Sequence, residues 1–253
     1  MDPVFDDIRR RAHEIVSRHP RPDFYRECKE ANQLSKDLFK SNDIVSHLLA
    51  FVTEHIENDF GHGLEHAAKV SLDAGALIII EGKESGYSDR IIEKKVLIVQ
   101  CAALLHDIKR KQRDHAVKGA TYARKALRNY PFTLEEIDEI CRAIRNHEAF
   151  KKRRLIKPLE SLLVSDCLYD GDKFRWGPDN FSNTIWDMVA FYNTSLSRFI
   201  DYYPQGMKGL QLIKRTFRTR TGKKYGPQFI DIGISIGEEL LQFILDEFKK
   251  IDP

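Results

Sequence analysis

The chain has 253 residues, 42% of them hydrophobic, with 41 lysines and arginines against 38 acidic residues. That length suits one sizeable core without requiring a second, and a net charge of +3 is too small to argue by itself for nucleic acid or an anionic membrane. The cysteines Cys28, Cys101, Cys141 and Cys167 are widely spaced without a CxxC pair, which argues against a disulfide scaffold and for reduced thiols in a cytoplasmic protein. The opening MDPVFDDIRR is charged, and apolar runs such as Ala76 to Ile80 are too short to span a bilayer, so the expectation is a cytoplasmic chain with no membrane contact.

In chain order, Val4, Ile8, Ala12, Ile15 and Val16 recur at helical spacing until Pro20 and Pro22 end the run. A second helical stretch is expected from about Phe24 to Phe39. Asn42 with Asp43 caps a third, whose face carries Ile44, Leu48, Phe51, Val52 and His55. In NDFGHGLEHAAKV, His62 and His66 stand four apart and share a helical face continued by Ala67, Val70, Ala74 and Leu77. Such a pair can ligate or flank an ion, and by itself it equally suits surface or core histidines.

The apolar segment 90–107, RIIEKKVLIVQCAALLHD, reads as a buried helix ending in His106 and Asp107. An imidazole and a carboxylate at the end of such a helix are costly to desolvate unless paired or metal-bound. Asp114 is the expected N-cap of the next helix, with His115 in its first turn and Ala116, Ala120, Ala123 and Leu127 facing inward. Thr133 and Glu136 form a capping box for another, whose stripe Ile137, Ile140, Ile144 runs onto His147. Pro158 fits the first turn of a helix carrying Leu159, Leu162 and Leu163. Asp166 falls on that same face, where a cation is its natural partner, with Asp170 in support one turn later.

GDKFRWGPDNF, residues 171–181, suits a loop closing over the site and equally a structural elbow leading into the C-terminal helices. Helices are then expected from about Asn183 to Tyr203, Met207 to Phe217 and Pro227 to Ile251. The last opens with Ile230, Ile232, Ile234 and Ile236 at strand period, yet no second strand is evident to pair with it. Its surplus of apolar surface suits a core position or a homodimer contact. The basic runs KKRR at 151–154 and KRTFRTRTGKK at 214–224, the latter containing Phe217, raise nucleic acid as a partner, with solvated loops as the default.

His66, then His106 with Asp107, then Asp166, on successive helices, resembles the HD superfamily of metal-dependent phosphohydrolases. HGLEHAAKV is similar to its first-histidine helix, AALLHDI to the segment that names it, and HAVKGA and AIRNHE to the regions of further histidines in its two-metal branches. The resemblance implies an all-α fold, an HD core over about 55–175 and a C-terminal helical extension over about 180–253, within a single domain. It implies His66, His106, Asp107 and Asp166 as primary ligands, His115 and His147 as ligands of a second ion bridged by Asp107 if the chain is like the two-metal members or as positions approaching substrate if it is like the one-metal members, and His62 near the substrate. RNHEAFKKR around His147 lacks the glycine-tyrosine-proline signature of the cyclic-di-GMP branch.

The expected activity is hydrolysis of a phosphate ester, of a nucleotide or related small metabolite, by water activated on one or two divalent ions (Mn, Co, Ni, Mg or Fe). Cations should stabilise charge growing on the phosphoryl oxygens, and the sequence offers Lys109, Arg110, Lys111, Arg113, Lys69 and Arg145. The competing readings are a di-iron oxygenase, a nucleotide-binding regulator without turnover, and an RNA-linked enzyme.

Overall fold

Apolar side chains recurring at three and four make every long element a helix. The computed structural model describes residues 4–56, 63–152 and 162–248, and no strand occurs among them. α1 (Val4–Arg18), α2 (Asp23–Glu27), α3 (Lys29–Ser41) and α4 (Asp43–His55) lead to α5 (Leu64–Glu84) and α6 (Asp89–Leu105). α7 (His115–Ala126), α8 (Leu134–Arg145), α9 (Leu162–Phe174), α10 (Ile185–Phe191), α11 (Leu196–Ile213) and α12 (Arg220–Phe248) follow.

α5 is the central pillar, packed against α3, α6 and α9, with Ala74, Leu77 and Ile78 fully buried. α8 rests on α6, α7 and α9, while α12 reaches α1, α5, α9 and α11 and so ties the two ends of the chain together. Burying a leucine or isoleucine side chain stabilises by about 1.5–3 kcal/mol, and α5 and α6 contribute the longest runs of such residues.

Both local caps read from the sequence are present. Asn42 Oδ1 accepts from the N–H groups of Ile44 and Val45 at 3.0 and 3.3 Å, and the Thr133 to Glu136 capping box is complete. Other expectations need correction. The stretch from Phe24 breaks at Cys28, which sits outside helical backbone between α2 and α3. The expected loop at 171–181 is helical to Phe174, turns at 175–177, and re-enters helix at 178 ahead of a π-helical turn, Asn180–Thr184.

The C-terminal break falls not near residue 205 but before α11, where Asn193 takes φ +45°. The four alternating isoleucines all lie buried in α12, because that helix is enclosed on several sides rather than on one face. The basic run 214–224 is no free loop: Phe217 is buried 5.8 Å from the Phe174 ring, unavailable for base stacking, and α12 begins within the run. No helix among the described residues is long and apolar enough to cross a membrane.

Candidate metal centre

Five helices deliver one side chain or one pair each to a common point. His66 is the third residue of α5, and His106 with Asp107 follows the last residue of α6. The turn after them is closed by Arg110 N–H to the Asp107 carbonyl at 2.9 Å and Gln112 N–H to the Lys109 carbonyl at 3.0 Å. It ends at Asp114, whose backbone is left-handed at φ +57°. Asp114 occupies the expected N-cap position but its side chain caps nothing, and the turn instead aims His115, the first residue of α7, at Asp107. His147 lies just past Asn146, the C-cap of α8.

Two close approaches make this convergence possible. A Cβ on Gly171 would lie 2.9 Å from the Ala74 backbone nitrogen, so the glycine lets α9 press directly on α5. A Cβ on Gly119 would lie 3.3 Å from the His106 carbonyl, which fixes how closely α7 follows the end of α6.

The Asp107 carboxylate divides the cluster. Its Oδ2 is 3.5 Å from His106 Nε2, while Oδ1 is 3.4 Å from His115 Nε2 and 3.3 Å from His147 Nε2. On the first side His66 Nε2 is 3.3 Å from His106 Nε2, and on the second His115 Nε2 is 3.2 Å from His147 Nε2. His66, His106 and Asp107 thus form one triad that could hold a metal ion, and Asp107, His115 and His147 another.

The expected fourth ligand differs. Asp172, not Asp166, approaches the first triad, with Oδ1 3.3 Å from His66 Nε2 and 3.8 Å from His106 Nε2. The two aspartates are six residues apart, about 240° around a helix of 3.6 residues per turn, so they cannot share a face. Asp166 faces the other way, 3.9 Å from Arg218 Nη1. The phase of α9 is set by the fully buried Val164 and Leu168, whereas Leu162 and Leu163, which placed Asp166 inward, are half-buried. Asp172 lies four beyond Leu168, and that stripe is the sequence signal that identifies it.

Ring orientation is fixed from behind. The Nδ1 atoms of His106 and His147 lie 2.6 Å from the carbonyls of Ala103 and Ile144, so Nδ1–H donates and Nε2 keeps its lone pair. Arg110 Nη1 donates to His115 Nε2 at 2.9 Å, which makes that nitrogen an acceptor too. Burial pushes the His106 imidazole down to about 3 and the His115 imidazole to about 4, despite Asp107. Burial alone would raise the Asp172 carboxyl, but the Lys173 ammonium at 2.5 Å and the His66 hydrogen bond outweigh it and hold it well below the usual range. On the His115 and His147 side, the His147 nitrogen lone pair and an Asp107 carboxylate oxygen face the His115 nitrogen, whose own lone pair takes the Arg110 proton. Such atoms repel unless a cation lies among them, so the donor set fits divalent ions.

Asp170, expected to support a cation at Asp166, is fully buried and works as a staple. It accepts from Arg218 N–H, Thr219 N–H and Thr219 Oγ1, each at 2.8 Å, and so fixes α9 to the start of α12. Lys109 lies over the Tyr122 ring, Lys111 is exposed over the Phe191 ring, and Arg113 is exposed. Of the expected cations, Arg110 reaches the cluster, with Nη1 3.7 Å from Asp107 Oδ1. Lys69 bonds Glu65 at 2.8 Å and Asp179 at 3.1 Å. Asp179 in turn accepts from the buried Arg175, which also grips Asp73 and Tyr25, a network the sequence did not announce. His62 lies outside the described residues.

The HD domain family model matches residues 63–174, which contain every member of both triads and Asp172. A crystal structure of a predicted HD superfamily hydrolase from an uncultured Thermotogales bacterium is similar at 23% sequence identity over 84% of this chain and 98% of that one, with a TM-score of 0.47. No curated protein matches the chain.

Proposed function

We propose, from the premise that this chain carries an HD domain and is a metal-dependent hydrolase of HD type, that it cleaves a small-molecule phosphate ester using two divalent ions held either side of Asp107. The observation that carries this reading is the division of the Asp107 carboxylate between two triads. His66, His106, Asp107 and Asp172 would hold one ion, and Asp107, His115 and His147 the other. Four imidazoles among six donors favour manganese, iron, cobalt or nickel over magnesium. When bound, such ions supply a water of lowered pKa and polarise a phosphoryl oxygen.

The remaining work falls to the chain's own groups. The guanidinium of Arg110, beside both His115 and Asp107, stabilises negative charge that grows on the phosphoryl oxygens. Burial of His106, Asp107 and His147 strengthens these charge interactions by excluding water. The carbonyls of Ala103 and Ile144 keep two imidazoles in the ligating tautomer throughout.

The test uses metal-stripped protein restored with each ion in turn, offered p-nitrophenyl phosphate and bis(p-nitrophenyl) phosphate, with Asp107→Ala alongside. Ion-dependent turnover that disappears in the variant is expected, and the preferred ester decides between monoesterase and diesterase. Retention of ions without cleavage of either ester would contradict the proposal. The same nitrogen-rich donor set also suits a di-iron oxygenase, which bound iron and an oxygen-dependent product would reveal.

A further inference from the structure

The cluster opens onto a cavity of about 560 Å³ lined by His66 and Arg110 and by side chains of the π-helical turn, α10 and α11. Its wall is apolar: Phe181, Val189, Phe199, Met207 and Leu210 all face it. Two of its buried polar groups are engaged elsewhere, since Tyr203 OH donates to the Gly237 carbonyl at 2.9 Å and Arg175 is held by Asp73 and Asp179, while Asn180, Thr184, Thr194 and Arg198 lie on the lining beside the apolar wall. A nucleobase placed there would find few partners for its polar edge, which is costly to bury unpaired. Met188, Tyr192 and Tyr202 line the same cavity and are 41%, 60% and 57% exposed, so the apolar lining continues to the surface. A larger groove between α6 and α8 is lined by Lys94, Glu136, Asp138 and Arg142 and touches no residue of the cluster.

We infer that the organic group of the substrate is an extended apolar chain, alkyl, prenyl or aryl, which lies in this cavity with its phosphate at the Asp107 cluster. The volume is that of a small-molecule pocket, and at one wall the Arg110 guanidinium, with the ions that the cluster would hold, supplies the charge that a phosphate needs. The inference rests on the phosphohydrolase reading and narrows its substrate class, against the nucleotide that the sequence suggested.

Gly206 provides the test. It lines the cavity from within α11, and a Cβ there meets nothing within 4 Å, so a bulky side chain fits at this edge of the cavity without displacing the packed core. The manganese-restored full chain is assayed with ethyl, hexyl and decyl phosphate and with adenosine monophosphate. Calorimetry follows binding of decylphosphonate, whose carbon–phosphorus bond resists hydrolysis. Each buried methylene is worth about fourfold, so kcat/KM should rise at least tenfold from ethyl to decyl and exceed that for the nucleotide.

Gly206→Phe should bring the decyl-to-ethyl ratio close to one and weaken decylphosphonate at least tenfold, whereas Gly206→Ala should keep both. A flat chain-length profile, preference for the nucleotide, or a decyl preference untouched by Gly206→Phe overturns the inference while leaving the phosphohydrolase in place. Decylphosphonate binding that Gly206→Phe abolishes, with no ester cleaved, supports the cavity and removes the phosphohydrolase. Absence of both overturns both.

Discussion

One face of α9 carries Asp172 and another carries Asp166 and Asp170, and the same side chain meets three different fates. Asp172 lies against two imidazoles, Asp170 accepts from two backbone N–H groups and a hydroxyl, and Asp166 lies near a guanidinium. The helix offers all three equally; the neighbours decide. α5, α6 and the Gly171 contact bring imidazoles to one face, while the start of α12 brings backbone donors to the other. Inward position on a helix therefore predicts burial of a carboxylate, and its role follows from what the opposite element presents.

The comparison breaks most visibly at the residue that both triads share. Asp107→Ala should empty both sides of the cluster and reduce turnover on the order of a thousandfold or more, since several kcal/mol of charge stabilisation leave with the ions. Elemental analysis after dialysis, with an activity assay, checks it. Asp172→Asn against Asp166→Asn separates the two faces: the first should weaken ion binding at least about tenfold, the second should leave ion content unchanged. Equal losses in calorimetric titration would erase the distinction between the faces.

Asp170→Ala should retain ions but lower thermal stability, by about 1–3 kcal/mol for each buried N–H left unpaired, measured by denaturant unfolding. The smallest effect is a titration that fails to occur. Because burial holds His106 near 3 and His115 near 4, both rings of the metal-free chain should keep their neutral nitrogen resonances from pH 8 down to about 5. Unfolded histidine takes its proton near 6.5, so stability from these two groups is whole above that pH and is lost as pH falls toward their folded values. Burial pushes the Asp73 and Asp170 carboxyls up to about 6 and about 7, a contribution of opposite sign. Nitrogen resonances are therefore the discriminating readout, and a midpoint near 6.5 for either ring would contradict the burial described.

Much of this was legible from residue order. Apolar stripes end directly on His66, His106 and His147, and a histidine that extends a buried stripe has one direction in which to point. The capping box at Thr133 and the asparagine cap at Asn42 are short-range hydrogen bonds, set by residues within one turn. Asp172 was missed because the phase of α9 depends on which leucines find a core, and Leu162 and Leu163 lost that place to Val164 and Leu168. The glycine, proline and aromatics at 171–181 suggested a loop, but Gly171 is there for contact with Ala74 and only 175–177 leave the helix. The break at Asn193 carried no glycine, since asparagine tolerates left-handed backbone nearly as well. The buried Arg175 network and the cavity beside α11 join residues far apart in sequence, which no local pattern encodes.

The central claim is that two ions flank Asp107 and that Asp172 completes the first of the two sites. Crystals equilibrated with manganese and measured near its absorption edge would test it most directly through the anomalous difference map. Two peaks, one on each side of the Asp107 carboxylate, with Asp172 in the coordination sphere beside His66 and His106, are the expected result. A peak coordinated by Asp166, or no peak at the cluster, would contradict the account.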